Sequence, residues 1–305
     1  MRKVFEIRNS QITQFDAAEG SIMVFVDPDA DERRFLVENL KVDEHTLNSA
    51  LDPDELSRLE YEHDHTAIIY KRPRNYSGGG QLLLKVASVG MFLFKDRLVV
   101  VISEDVPLFD TKQFRKVDTL NEVMLKLLSR AIVHFLEHLK VIILIVDEIE
   151  GKINTAMENK NLINLFSLEK SLVYYLNAIH TNNVLLSKMK SNAERLGLTA
   201  EEQELLEDMI VDNDQCYKQA EIYSNILASL MDARASIVGN NLNALMKRLT
   251  IITLGVMVPT FVVSTFSMNV KYPFDADASW PFFMIMALVA LSLAGFYMVI
   301  KLLRW

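Results

Sequence analysis

The sequence is poor in cysteine and in positive charge. Its only cysteine is Cys216, and it has 32 Lys and Arg residues against 40 Asp and Glu residues. A single cysteine excludes an internal disulfide, which fits a reducing compartment. The formal net charge of −8 disfavours nucleic-acid binding, because that function needs a basic face. An acidic cytosolic domain can raise the local cation concentration, although an ordinary soluble surface gives the same composition.

Other signals are absent as well. The first residues, MRKVFEIRNSQ, lack the apolar core of a signal peptide, so we expect the front of the chain to stay in the cytosol. No GxxxxGKS or GxxxxGKT loop occurs, which argues against an ATP-driven process. No nucleophile with an adjacent base stands out, and we therefore expect that the protein is not an enzyme.

Two long apolar runs lie near the end of the chain. Residues 249–267 read LTIITLGVMVPTFVVSTFS and residues 282–300 read FFMIMALVALSLAGFYMVI, and neither carries a formal charge. A helix of this length reaches about 28 Å, close to the ~30 Å hydrocarbon core of a bilayer. We therefore predict two membrane-spanning helices behind a soluble domain.

Basic residues flank this pair of runs. Lys247 and Arg248 precede the first run, and Lys301 and Arg304 follow the second, whereas Lys271 is the one basic residue between them. The positive-inside rule then places both termini in the cytoplasm. The predicted location is the cell (inner) membrane, in which the chain is a multi-pass protein.

Before the apolar runs, strand-like and helix-like segments alternate in the N-terminal part of the chain, and long helices follow them. β-like runs at 3–7, 22–26, 66–72, 82–94 and 98–103, with helix-like pieces at 32–40 and 43–51, predict a small α/β domain. Apolar residues spaced by three or four then predict helices from about 120 to 157 and from about 162 to 190. A capping box at Thr199 and Glu202 predicts the start of a third helix that continues into the first span.

The predicted fold class is therefore an α+β/α membrane protein. Its expected segments are a cytosolic α/β domain (1–115), a helical hairpin packed on it (116–198), a stalk helix (199–248), a first transmembrane helix (249–268), an external loop (269–281), a second transmembrane helix (282–300) and a basic cytosolic tail (301–305).

Polar and thioether side chains recur along the first span and just before it. Successive members are three or four residues apart, which places them on one helix face. We name this set the polar stripe: Asn243, Met246, Thr250, Thr253, Met257, Thr260, Ser264 and Ser267. A polar group facing lipid must find its hydrogen bonds within the helix or with a neighbour, so the stripe fits a hydrated lumen. Helix–helix packing is the alternative, since Ser and Thr are common at such contacts.

Several segments carry a family resemblance. They are NNLNALMKRLTII at 240–252, MVPT at 257–260, STFSMNV at 264–270 and the basic ending KLLRW. Together they resemble the CorA family of divalent-cation transporters, and the resemblance covers the whole architecture. It implies a homopentamer in which the first spans line one pore and the second spans form an outer ring.

The resemblance also implies where the pore selects its ion. The family's Gly-Met-Asn signature falls on Ser267, Met268 and Asn269, which are the implied selectivity entrance. Serine here replaces the glycine, and Phe266 replaces the usual tyrosine before it. Family branches with altered signatures are associated with other ions such as Zn²⁺, so the signature leaves the ion open.

A regulatory metal held by carboxylates between subunits is a further implication of the resemblance. Glu204, Asp208 and Asp212 step by four along the stalk helix and share a face, which makes them the candidate ligands. Like charges on one face repel, and a bound cation would relieve that repulsion. The alternative is a solvated acidic face near a helix N-terminus, which is favoured anyway.

Other potential ligands are interpreted as structural. His134 and His138 have a spacing that suits Zn²⁺, but two ligands make an incomplete site. The same interpretation covers His63 and His65, the lone Cys216, and two acidic runs expected at turns and helix starts, namely Asp27, Asp29, Asp31 and Glu32, and Asp52, Asp54 and Glu55.

These observations predict a CorA-type channel for passive, electrochemically driven transport of a divalent cation, gated by cytosolic metal. Mg²⁺ is the expected transported and regulatory ion, with Co²⁺, Ni²⁺ and Zn²⁺ as alternatives. The expected partners are further copies of the chain, membrane lipid and divalent metal ions, and no nucleic acid. The alternative functions are a non-conducting, membrane-anchored metal sensor or scaffold and a less selective cation channel.

Overall fold

The computed structural model describes residues 1–15, 19–74, 84–152, 159–268 and 280–302, with side chains given outside 149–162. The described chain divides into two compact units, Met1–Met231 and Asp232–Trp305. The first unit contains a β-sheet and its covering helices, and the second contains the apolar helices.

Within the described residues, seven strands form one sheet in the first unit. They are β1 (Arg2–Arg8), β2 (Gln11–Gln14), β3 (Ile22–Val26), β4 (Arg58–Tyr61), β5 (Thr66–Pro73), β6 (Val86–Leu93) and β7 (Leu98–Ile102). The spatial order is β2-β1-β3-β7-β6-β5-β4. The β3–β7 pair is parallel, and the other neighbours are antiparallel. Both strands of the parallel pair, IMVFV and LVVVI, are buried throughout, as expected of strands covered on both faces.

Helices cover the two faces of the sheet. In β3, Ile22 and Val24 enter one hydrophobic core and Met23 and Phe25 enter the other, because successive side chains of a strand alternate. Helix α1 (Ala30–Arg34) leads into a π-helical segment (Phe35–Asn39), which closes the second core together with α2 (Glu44–Leu51). A Cβ on Gly90 of β6 would lie 2.4 Å from the Cβ of Ala50 in α2. Glycine at this position therefore allows the helix to approach the sheet.

The first core is covered by α3 (Leu120–Lys152) and α4 (Asn159–Ser191). Asn182, a buried residue of α4, also forms hydrogen bonds with the backbone of β5. The Asn182 Oδ1 accepts the Lys71 N–H at 2.9 Å, and its Nδ2 donates to the Lys71 carbonyl at 2.8 Å. The register of β4 with β5 stops at Ile69. Asn182 therefore satisfies backbone groups that have no neighbouring strand.

Helix α5 (Ala200–Phe266) has 67 residues, which corresponds to about 100 Å. Its start is the predicted capping box: the Thr199 N–H donates to Glu202 Oε2 at 2.8 Å, and the Glu202 N–H donates to Thr199 Oγ1 at 3.3 Å. Within the first unit, α5 buries Leu206, Met209 and Cys216 in the first core. The last described helix is α6 (Trp280–Leu302).

Differences from the predicted elements concentrate at the sheet edges. All five predicted strands are present, but β2 (QITQ) and β4 (RLEY) were missed. Each has four residues and forms one edge of the sheet, where a short strand buries little apolar surface and shows no clear alternation. The predicted helix at 32–40 is α1 followed by the π-helical segment. The predicted end of α3 near Met157 lies outside the described residues.

Candidate functional site

The second unit contains two helices that are long and apolar enough to cross a membrane. The most apolar windows of α5 and α6 have mean hydropathies of 2.0 and 2.4, and none of either window is buried within the chain. Such surfaces are covered by lipid or by other protein.

One face of α5 packs against α6. Between 249 and 268 the partly buried positions recur every three or four residues: Ile251, Gly255, Val258, Pro259, Val262, Thr265 and Phe266. A Cβ on Gly255 would lie 3.5 Å from Cε1 of Phe296 in α6. In α6 the partly buried positions also follow helical spacing: Pro281, Met284, Ile285, Val289, Ser292, Phe296 and Ile300. The two helices therefore contact each other along one stripe of each.

The polar stripe lies on the other side of α5. All eight of its residues are exposed. At about 100° per residue, its mean direction is roughly 160° away from that of the seven partly buried positions. Packing against α6 therefore does not explain the stripe, which is free to face an aqueous pathway, another chain or lipid.

Hydroxyl groups of the stripe donate to their own helix. The Oγ1 of Thr250 lies 2.9 Å from the Met246 carbonyl, and that of Thr260 lies 2.6 Å from the Val256 carbonyl. Thr253 bonds the Leu249 carbonyl, and Ser267 bonds the Val263 carbonyl. Because each hydroxyl donates its one proton backwards, its lone pairs remain available as acceptors. The same bonds would also satisfy these groups in a packed interface.

The signature residues follow the end of α5. Ser267 and Met268 are exposed, and the Ser267 N–H donates to the Ser264 carbonyl at 3.1 Å. Asn269 lies outside the described residues. The structure thus places Ser267 at the end of the polar stripe and Met268 directly after it.

The acidic candidates are exposed near the start of α5. Glu204, Asp208 and Asp212 have no basic partner within 4.0 Å among the residues that the structure describes. Neighbouring carboxylates are paired: Glu207 contacts Lys190 at 2.8 Å, and Asp214 contacts Lys218 at 2.6 Å. No group of three His, Cys, Asp or Glu in the described ranges can hold a metal. A metal site here would therefore need ligands from more than one chain.

The remaining acidic runs have local structural contacts. Asp29 is the N-cap of α1 and accepts the N–H groups of Asp31 and Glu32 at 3.0 and 2.9 Å. Asp52 accepts the Asp54 N–H at 2.9 Å. These contacts match the predicted turns and helix starts.

Three of the four candidate histidines pack against aromatic rings, whereas His63 is exposed and contacts Asp64 at 2.6 Å. The rings of His134 and His138 are 4.4 Å apart, and Nδ1 of His138 lies 2.6 Å from the Tyr175 hydroxyl. His65 packs on Phe94 with ring centroids 4.8 Å apart. These contacts support structural roles. Arg72 and Arg130 lie beside His134 around one cavity, and the sequence did not predict this group. The two arginines are 58 positions apart in the chain. Spacing along one helix could have suggested only the pair Arg130 and His134.

Comparisons with known proteins identify the family. The model of the CorA-like Mg²⁺ transporter proteins matches residues 20–302. The chain belongs to the CorA family. A curated relative, the cobalt/magnesium transport protein CorA of Methanocaldococcus jannaschii, is 25% identical over 296 residues, which cover 92% of this chain and 89% of the relative.

Solved structures of other proteins share the fold. The complete CorA magnesium transporter of M. jannaschii has a TM-score of 0.82 at 22% identity and covers 98% of this chain and 96% of its own. The full-length CmaX protein has a TM-score of 0.67 at 15% identity, with coverage of 97% and 89%. The predicted α+β/α fold class with two C-terminal apolar helices is thereby confirmed. CorA membership also confirms that the chain is a membrane protein of a transporter family rather than an enzyme.

Cysteine accessibility tests the orientation of the polar stripe. Thr253→Cys and Thr260→Cys should react with a cationic, water-soluble thiol reagent on the order of tenfold faster than Val258→Cys and Val262→Cys. The reagent reacts with the thiolate form of cysteine. An apolar environment raises the pKa of a thiol, and each pKa unit lowers the thiolate fraction about tenfold. The measurement is the labelling rate in reconstituted full-length protein.

The native thiol gives a low background in this experiment. Cys216 is buried, and burial raises its pKa to about 12, so it stays a thiol at neutral pH; Cys216→Ser is the matched control. Equal protection of all four introduced cysteines would contradict an aqueous stripe and favour packing between chains.

Proposed function

We propose that this CorA protein conducts divalent cations, with Mg²⁺ first, through a pore lined by the polar stripe. The observation that carries the proposal is the exposure of the stripe on the side of α5 opposite to the α6 contact. The names of its relatives, a cobalt/magnesium transport protein and a magnesium transporter, support this class of ion.

The proposed assembly is a homopentamer in the cell inner membrane with both termini in the cytoplasm. In one chain the stripe is exposed among the described residues, and a ring of chains would enclose it. The α6 helices would then face lipid, which fits their mean hydropathy of 2.4. This arrangement leaves lipid in contact with apolar side chains and water in contact with hydroxyls.

The chemistry of the stripe suits a hydrated cation. Mg²⁺ sheds its water reluctantly and usually keeps several water ligands. The hydrogens of those waters point away from the metal, and the lone pairs of Thr250, Thr253 and Thr260 can accept them, since these hydroxyls already donate to the helix. Neutral acceptors bind the ion weakly enough for it to leave, which conduction requires.

The driving force is the membrane potential. A divalent ion gains about 4.6 kcal/mol per 100 mV of inside-negative potential, from ~2.3 kcal/mol per elementary charge. This corresponds to more than a thousandfold accumulation, since every ~1.4 kcal/mol is tenfold. Passive influx therefore needs a means of closing the pore rather than a pump.

In the proposed gating mechanism, cytosolic metal bound between chains at Glu204, Asp208 and Asp212 keeps the pore closed. These carboxylates are exposed and lack basic partners in the described part of the chain, whereas the adjacent Glu207 and Asp214 are neutralised by lysines. A divalent ion would relieve the repulsion among the free carboxylates. When cytosolic metal falls, the contacts between chains would loosen and the pore would open.

Asn269→Ala tests the entrance. We expect the variant to assemble normally and to lose at least about tenfold in Mg²⁺ uptake into liposomes, because a charge-assisted hydrogen bond from the amide oxygen to the hydrated ion is lost. Asn241→Ala is the matched control, since Asn241 lies two residues from Asn243 and points to the opposite side of α5. Unchanged uptake by assembled Asn269→Ala pentamers would contradict the entrance assignment.

A second experiment tests the acidic site. In the triple variant Glu204→Gln, Asp208→Asn, Asp212→Asn, the internal Mg²⁺ concentration that half-closes the pore should rise by about 5–150-fold, the usual range of coupling between sites. Uptake is measured at a series of internal Mg²⁺ concentrations. The paired carboxylates provide the control variant, Glu207→Gln with Asp214→Asn. An equal shift in both variants would indicate a general effect of surface charge and overturn the site.

A further inference from the structure

A cavity of about 260 Å³ lies in the first unit between β5, the segment after β7 and α3. Tyr70 and Arg72 reach it from alternate positions of β5, which share one face of the strand. Arg130 and His134 reach it from α3, where their spacing of four places them on one helix face. All residues lining the cavity belong to the first unit, and none belongs to the polar stripe or the acidic candidates.

Two guanidinium groups give this cavity its charge. Arg72 is only 7% exposed. It donates to Glu104 Oε1 at 3.0 Å and to the Pro73 carbonyl at 3.1 Å, and its Nε has no acceptor in the described chain. Glu104 is shared with Arg74, so one carboxylate serves two guanidinium groups. The lining contains no carboxylate of its own.

Arg130 has more N–H donors than acceptors around it among the described residues. Among the described residues its one recorded acceptor is the Leu108 carbonyl, whereas a guanidinium has five N–H donors in a planar fork. Burial is the main cause that lowers the pKa of Arg130. The charge of Arg72 acts in the same direction, whereas Tyr70, Asp110 and Glu137 oppose it. An anion in the cavity would relieve that repulsion and accept the free donors.

The neighbouring Tyr70 and His134 fit the same ligand class. Burial raises the pKa of Tyr70, so its hydroxyl remains a donor at neutral pH. Burial, followed by the positive charges of His138, Arg72 and Arg130, lowers the pKa of His134 to about 4, so its ring is neutral at pH 7. The positive charges of Arg72 and Arg130 beside His134 oppose binding of a metal cation there.

We propose that this cavity binds a small oxyanion, a phosphate or the phosphate group of a monoester, with Arg130 and Tyr70 as direct donors and Arg72 as the second charge. Its volume is below the ~300–1,000 Å³ of pockets for drug-sized ligands, which fits a single oxyanion group rather than an entire nucleotide. The planar fork of Arg130 matches the geometry of phosphate oxygens. This binding site is additional to the transport function and uses none of its residues.

Calorimetry of the full-length protein in detergent tests the site with inorganic phosphate against chloride at equal ionic strength. We expect one saturable site per chain. Arg130→Gln should weaken phosphate binding by at least about tenfold, as the loss of a hydrogen bond to a charged group does, and Arg130→Lys should weaken it less, since the charge remains. Arg195→Gln is the control, because the Arg195 guanidinium lies over the Tyr61 ring beside a separate cavity.

Methyl phosphate in place of phosphate distinguishes the source of the oxyanion. Binding of phosphate without methyl phosphate indicates a free anion, and Arg130-dependent binding of both indicates the phosphate group of a monoester. The proposal is overturned if the wild type shows no saturable phosphate binding. It is also overturned if the wild type and a folded Arg130→Gln variant bind phosphate with equal affinity. Neither result depends on ion flux, so failure here leaves the transport proposal to its own experiments.

Discussion

A polar group in a hydrocarbon environment must have a hydrogen-bond partner, and the arrangement of the second unit depends on this constraint. The second half of α5 places hydroxyls and thioethers on one side and the apolar contact with α6 on the other. The hydroxyls meet part of the constraint themselves by donating to backbone carbonyls one turn earlier. They leave exposed a row of acceptors, which water or polar groups of another chain can contact.

The same helix carries a second unsatisfied surface within the first unit. Glu204, Asp208 and Asp212 present like charges without basic partners in the described ranges, while adjacent carboxylates are paired with lysines. Both surfaces are incomplete in one chain, and both become complete in the proposed pentamer. Cation binding and pore opening would thus depend on the same contacts between chains, which is the physical basis of the proposed gating.

The sequence predicted much of this arrangement because the relevant signals are local. The apolar runs, the Thr199–Glu202 capping box and the three-or-four spacing of the polar stripe each depend on residues close together in the chain. The edge strands β2 and β4 were missed because strands of four residues, QITQ and RLEY, are too short to show a clear alternation. The orientation of the stripe relative to α6 could not be predicted, because it depends on how two helices pack. The cavity around Arg72 and Arg130 was missed for the same reason, since β5 and α3 meet only in the folded chain.

The most direct test of the central claim is the voltage dependence of divalent flux through the wild-type protein in liposomes. Mg²⁺, Co²⁺, Ni²⁺, Zn²⁺ and K⁺ are compared in parallel, with an imposed inside-negative potential and with or without a proton gradient. The account predicts uptake of divalent ions, with Mg²⁺ first, that rises steeply with the potential and does not require the proton gradient. Well-folded pentamers that pass no ion, or that pass divalent ions only when a proton gradient is present, would contradict it.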